Sequence, residues 1–182
     1  MEIYSLKKIL NKINKKNIVI LGHMGSGKSS FGKKIANQYN IEHIDSDNEI
    51  SKFENATIND IFSLKGEAYF RKIESKIVLQ ILEKRNVVIS LGGGSILKKE
   101  ARVEINKQSF SVFLDVEINL LNKRLKKSKN RPLLKDGNIL TTLKQLDSER
   151  RKHYLNADIT IDNSSSLSKA FLNFKKFFPL NG

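Results

Sequence analysis

Cysteine and tryptophan are both absent from this chain of 182 residues, and proline occurs only twice. Without cysteine there is no disulfide framework, no thiolate zinc site and no thiol nucleophile. This fits a reducing compartment, so a cytoplasmic location is expected. Long apolar runs are missing too: none approaches the roughly 18 residues that a bilayer-crossing helix needs. No membrane partner is expected. The N-terminus lacks the unbroken apolar block and small-residue cleavage site of a signal peptide, and arginine and serine are too scarce there for a transit peptide. Ile3, Leu6, Leu10 and Ile13 instead recur at helical spacing among Lys7, Lys8, Lys12, Lys15 and Lys16. Residues 1–16 are read as a basic amphipathic extension and residues 17–182 as one domain.

Acidic residues are also in short supply, 19 against 33 Lys and Arg, for a net charge of +14. Such an excess suits nucleic acid, through release of counterions from phosphates. It equally suits capture of small anions, or a merely lysine-rich composition. Charge alone decides nothing, and the motifs below favour small anions, with no nucleic-acid partner.

What is present is an alternation of apolar runs and helical patterns, the arrangement of a parallel sheet covered by helices. Strands are expected at 18–21, 41–44, 87–91, 110–114 and 158–161. Helices are expected at 28–39, 60–84 with a break near Gly66, 97–106, 118–127 and 139–155, and a last one carries Leu167, Ala170, Phe171, Phe174 and Phe178 on one face. Five strands joined by helices make an α/β three-layer sandwich.

The strongest local signal is Gly22-His23-Met24-Gly25-Ser26-Gly27-Lys28-Ser29, which satisfies G-x-x-x-x-G-K-[ST] after an apolar run and before a helix. Backbone N–H groups must approach a phosphate chain closely there, and the following helix aims its positive end at the same anion. Gly25, Ser26, Gly27, Lys28, Ser29 and Ser30 are the candidate ATP-binding residues. Lys28 reaches the β- and γ-phosphates, and the Ser29 hydroxyl ligates Mg²⁺. The His23 ring is expected to face solvent.

A phosphate cradle does not reveal the acceptor. Asp45 and Asp47 end the second strand, where ligands of an open α/β sheet collect; helix capping accounts for one acid well and two poorly. Arg71, in Phe70-Arg71-Lys72-Ile73-Glu74, offers a planar fork for a carboxylate, although a lone helical arginine is more often a solvated charge. Gly92, Gly93 and Gly94 follow the third strand and let backbone touch a ligand.

Taken together, G-x-x-G-S-G-K-S, D-S-D-x-x-I, F-R-x-I-E, S-L-G-G-G and R-P-L-L resemble, in order and spacing, the shikimate kinase family, over about residues 17 to 163. The resemblance implies a P-loop NTPase-type fold related to nucleoside monophosphate kinases. It implies ATP- and Mg²⁺-dependent phosphorylation of the shikimate 3-hydroxyl, giving shikimate 3-phosphate and ADP for chorismate and aromatic amino-acid synthesis. Asp47, Arg71, Gly92, Gly93 and Gly94 match the family's shikimate-binding positions, Asp47 holding the ring hydroxyls and Arg71 the carboxylate. Asp45 matches the acid near the Mg²⁺ shell, reached through water. Arg150 matches a second carboxylate-binding arginine, in a register that its neighbour Arg151 leaves open. Ser51 and the turn Glu54-Asn55-Ala56-Thr57 depart from the family pattern and bear only on that turn.

Residues 121–135 carry seven Lys and Arg and no acid, which taken alone suits a solvated face or an RNA-binding patch. In a kinase such a segment serves as a mobile lid. The family's lid is similar. Over about 124–138, Arg131 matches the arginine on the ATP phosphates and Arg124 the one beside adenine, so Lys28, Asp47 and Arg131 are the expected catalytic residues. A monomer is expected. Two rival readings stand beside this one. A gluconate or nucleoside monophosphate kinase shares the phosphate loop but not the later motifs. A nucleotide-dependent RNA-binding protein explains the charge but leaves the paired acids and triple glycine idle. Asp115, also at a strand end, is a weaker candidate than Asp45 for the Mg²⁺-organising acid.

Overall fold

The computed structural model describes residues 6–126 and 138–178. It contains β1 (Asn17–Leu21), β2 (Glu42–Asp45), β3 (Val87–Ser90), β4 (Ser109–Asp115) and β5 (Ile159–Asp162). The helices are α1 (Leu6–Lys12), α2 (Lys28–Tyr39), α3 (Ser46–Glu54), α4 (Ile58–Leu82), α5 (Lys99–Gln108), α6 (Ile118–Lys126), α7 (Ile139–Tyr154) and α8 (Leu167–Lys175). All strands pair in parallel, in the order β2-β3-β1-β4-β5. The expected five-stranded α/β sandwich is what the chain forms.

The central strand β1 is buried along its whole length, as a parallel strand covered on both faces must be. Successive side chains point to opposite faces. Val19 and Leu21 therefore join the cluster with Phe70, Val78 and Leu82 of α4 and Ile105 of α5. Ile18 and Ile20 join Phe31 and Ile35 of α2 and Phe171 and Phe174 of α8. Leu6 and Leu10 of α1 are fully buried in that second cluster, whereas Ile13 is exposed, so α1 packs one apolar edge on the sheet. The aromatic stripe of α8 does the same, with Phe174 stacked on Phe178.

Two local differences from the sequence reading, and one agreement with it, bear on the site. α3 begins directly after β2 with no loop. Asp45 caps it, Oδ1 accepting from the Asp47 N–H at 3.0 Å. The helix expected at 97–106 is split into a short 3₁₀ turn, Ser95–Leu97, and α5. In α4 the expected break is present: Gly66 has φ 78° and ψ 169°, a region essentially restricted to glycine. That break divides α4 into two helical segments.

Candidate active site

The C-terminal ends of β1, β2 and β3 converge on one crevice, where an open α/β sheet collects its ligands. At the end of β1 the chain turns through 22–27 into α2. Gly27 sits at the N-cap with φ 93°, and no side chain caps the helix. The first N–H groups of α2 are thus left for an anion, and α2 has no acidic residue in its first turn. Lys28 bends back over the loop, its Nζ donating to the carbonyl oxygens of Gly22 and His23 at 2.9 Å each. Ser29 donates its hydroxyl to Asp45 Oδ2 in a short 2.5 Å hydrogen bond. The cleft around this loop is lined by Met24, Gly25, Gly27, Lys28, Ser29, Ser30, Asp45, Asp47, Leu91, Gly92 and Gly93. Ser26 is buried, and its carbonyl accepts from Asn163 Nδ2 at 2.8 Å. Arg124 of α6 donates to the carbonyl oxygens of Gly25 at 3.3 Å and Asn163 at 2.9 Å, which seats it against the outer side of the loop.

Beside this cleft lies a second pocket, walled by Met24, Asp47, Ile58, Phe62, Phe70, Arg71, Glu74, Gly92, Gly93, Gly94 and Arg150. The two pockets share Met24, Asp47, Gly92 and Gly93. The triple glycine makes the charged wall possible. A Cβ at Gly92 would lie 2.9 Å from Asp47 Oδ1 and 3.0 Å from Glu74 Oε1, and one at Gly94 would fall on the Arg71 guanidinium. At Gly93 it would stand 3.4 Å from Arg150 Nη1 and 3.5 Å from the Tyr154 hydroxyl. Ser46 Oγ accepts from the Gly92 N–H at 2.8 Å and so ties the start of α3 to the glycine loop.

Arg71 is held by its own helix. Nη1 donates to Glu74 Oε2 at 2.7 Å, and Nη2 and Nε donate to Glu67 Oε1 at 3.0 and 3.2 Å. Glu74 is only 3% exposed, and its other oxygen accepts from the Ser95 hydroxyl at 2.8 Å. The i, i+3 spacing of Arg71 and Glu74 was the available signal for this pairing. Met24, Ile58, Phe62 and Phe70, the apolar side of the pocket, carried no signal separable from ordinary core.

On α7 the two adjacent arginines part. Arg150 is 3% exposed and lines the second pocket. Arg151 turns the other way and grips Asp115 at 2.8 and 3.2 Å. That ion pair occupies Asp115, which stands at the end of β4 as a structural anchor. The expectation for His23 is overturned. Its ring is buried, with Nε2 2.9 Å from Asp147 Oδ1 and its edge against Tyr154. Burial, opposed by Asp147, pushes its pKa below the ordinary 6.5. Arg131 and most of the expected lid at 124–138 lie outside the described residues.

A phosphate loop opening a helix, set against a pocket with both acids and arginines, defines a P-loop phosphotransferase acting on a small polar acceptor. The chain's relatives give the family. The shikimate kinase family model matches residues 24–177. The shikimate kinase of Mesorhizobium japonicum is 38% identical over 157 residues, 86% of this chain and 77% of that one. That of Aquifex aeolicus is 43% identical over 144 residues, 79% of this chain and 84% of that one. The structure of the Acinetobacter baumannii shikimate kinase in complex with shikimate superposes with a TM-score of 0.85 at 28% identity, covering 94% of this chain and 98% of that one. This chain belongs to the shikimate kinase family and is a kinase.

Proposed function

We propose that this chain transfers the γ-phosphoryl group of ATP to the 3-hydroxyl of shikimate, giving shikimate 3-phosphate and ADP, as a cytoplasmic monomer serving chorismate and aromatic amino-acid synthesis. One observation carries the reading: the phosphate cleft and the acid- and arginine-walled pocket share Asp47, Gly92 and Gly93. A donor in one and an alcohol in the other would meet end to end, as in-line phosphoryl transfer requires.

The residues divide the work by chemistry. Gly25, Ser26, Gly27, Lys28, Ser29 and Ser30 cradle the phosphates, and Lys28 draws charge from the β- and γ-oxygens. Arg124, by resemblance, would lie against the adenine, and its contacts with the Gly25 and Asn163 carbonyl oxygens keep it beside the loop. Arg71 and Arg150 grip the acceptor carboxylate. Asp47 orients the attacking hydroxyl and accepts its proton. Among the described residues no group of three or more His, Asp or Glu could by itself hold a metal ion. The Ser29 hydroxyl and Asp45 carboxylate, in contact with each other beside the cradle, are hard oxygen donors of the kind Mg²⁺ takes alongside phosphates and water. They would hold Mg²⁺, whose charge would neutralise the phosphate oxygens. Arg131, by resemblance, would bring positive charge to the transferring group from a lid. With the reacting groups so held, most of the rate comes from positioning and electrostatics.

A coupled ADP-release assay with ATP and Mg²⁺, with and without shikimate, tests the proposal. Shikimate-dependent turnover is expected, and Lys28→Met should reduce it at least a hundredfold, the order found when one preorganised donor is removed. No turnover on shikimate, with turnover on gluconate or a nucleoside monophosphate, would replace the acceptor assignment.

A further inference from the structure

His23 is buried inside the phosphate loop, and none of the roles above uses it. With a carboxylate oxygen as the partner of Nε2, the tautomer that makes this bond carries its proton on Nε2 and leaves Nδ1 as a bare acceptor. That Nδ1 is buried without a hydrogen-bond partner among the described residues, a cost that a side chain chosen only to fill space would avoid. The partner comes from far along the chain: Asp147 lies 124 positions later, on α7. Asp147 also accepts from Arg151 Nη1 at 3.5 Å, and Arg151 is anchored on Asp115 of β4.

α7 therefore presents a row of contacts to the crevice. Asp147 meets the phosphate loop, Arg150 enters the acceptor pocket, and Tyr154 donates to the Gly93 carbonyl oxygen at 2.6 Å. Arg150 is buried, and its Nε has no hydrogen-bond partner among the described residues. Its side chain is hydrogen-bonded to Tyr154 of the same helix, so its aim moves with α7. At the other end of the contact, the His23 carbonyl oxygen accepts from Lys28 Nζ at 2.9 Å. One residue touches the nucleotide lysine through its backbone and the acceptor helix through its ring.

We propose that the His23–Asp147 hydrogen bond is a latch that sets α7, and with it Arg150, against the phosphate loop. His23 and Asp147 are then positioning residues for the acceptor, touching neither substrate themselves. The inference rests on the acceptor role given to Arg150 in the phosphotransfer reading.

Two measurements test it. In steady-state kinetics, His23→Ala and Asp147→Ala should each raise the KM for shikimate roughly tenfold, the scale of one hydrogen bond to a charged group. kcat and the KM for ATP should stay within about twofold. The double variant should be no worse than the worse single one, because both remove the same bond. His23→Gln, whose amide N–H reaches the Nε2 position, should recover most of the loss. Separately, hydrogen exchange of substrate-free His23→Ala should quicken about tenfold across 146–154, with β1 and α2 unchanged. Lower thermal stability with an unchanged KM for shikimate, additive effects in the double variant, or unaltered exchange in α7 would overturn the latch. Wild type measured in parallel separates the two ideas. Failure of wild type on shikimate refutes the acceptor assignment, and the exchange result then decides whether α7 is latched.

Discussion

Tyr154 donates its hydroxyl to the carbonyl oxygen of Gly93 at 2.6 Å while its ring stacks on Phe113 with centroids 5.0 Å apart. The tyrosine is 1% exposed, and burial is the main reason its pKa rises well above the ordinary phenol value. It stays neutral and keeps its proton to donate. Tyr154→Phe keeps the stacking and leaves a carbonyl oxygen in the crevice without its partner. The expected cost is about 1–3 kcal/mol, read as a melting temperature lower by about 2–4 °C per kcal/mol for a chain of this size. An unchanged melting curve would show that water satisfies Gly93 equally well.

Gly94 has an ordinary backbone, φ −89° and ψ −18°, so alanine is conformationally permitted there. Its Cβ, however, would fall on the Arg71 guanidinium. Gly94→Ala should fold normally yet bind acceptor poorly, with a KM for shikimate raised on the order of tenfold to a hundredfold as the fork is displaced. Parallel thermal melts and kinetics check this. A large loss of stability with an unchanged KM would mean that the helix yields instead of the arginine.

Two strand-end acids should part company in their metal dependence. Asp45 contacts Ser29 beside the phosphate cradle, whereas Asp115 is committed to Arg151. Asp45→Asn is expected to raise the Mg²⁺ concentration for half-maximal turnover several-fold. Asp115→Asn should leave that concentration alone and cost about 1 kcal/mol of stability or less, because the ion pair is partly open to water. Titration of activity with Mg²⁺ distinguishes them, and equal shifts would return Asp115 to consideration as the organising acid.

Burial lowers the pKa of both His23 and His43 below 6.5. A folded-state pKa below the unfolded one means that the unfolded chain binds the extra proton. Stability from these residues is therefore full above the unfolded value and is lost as pH falls toward the folded one. Urea unfolding at about pH 7.5 and about pH 5.5 should give a lower midpoint in acid, and His23→Gln should narrow the difference. An identical acid loss in His23→Gln would place the effect elsewhere.

Much of the donor side was legible because its signals are local. β1 holds the continuous apolar run 18–21, with Gly22 directly after it, and α2 spans Lys28–Tyr39 as expected. The sheet was legible through its apolar runs. α3 was not, because its sequence is polar and it starts without a loop, on a cap supplied by Asp45, itself a candidate for the metal. The fate of His23 was hidden by sequence distance, and so was the choice between Arg150 and Arg151. Both turn on which face of α7 meets the loops after β1 and β3. Glu74 lies within F-R-x-I-E, three residues after Arg71. Its bond to Ser95 across the pocket wall depends on the 3₁₀ turn that follows the glycines.

The kink at Gly66 divides the pocket wall that α4 supplies into a leading segment with only apolar lining residues and a trailing one that holds both charged groups beside Phe70. Ile58 and Phe62 lie before it, Phe70, Arg71 and Glu74 after it, and a Cβ at Gly66 would meet nothing within 4 Å. Substitutions in the short leading segment can therefore remodel the outline of the acceptor site while the ionic grip stays braced by the longer trailing one. A lineage, or a protein engineer, could shift preference among related ring acids by editing residues 58–65 alone.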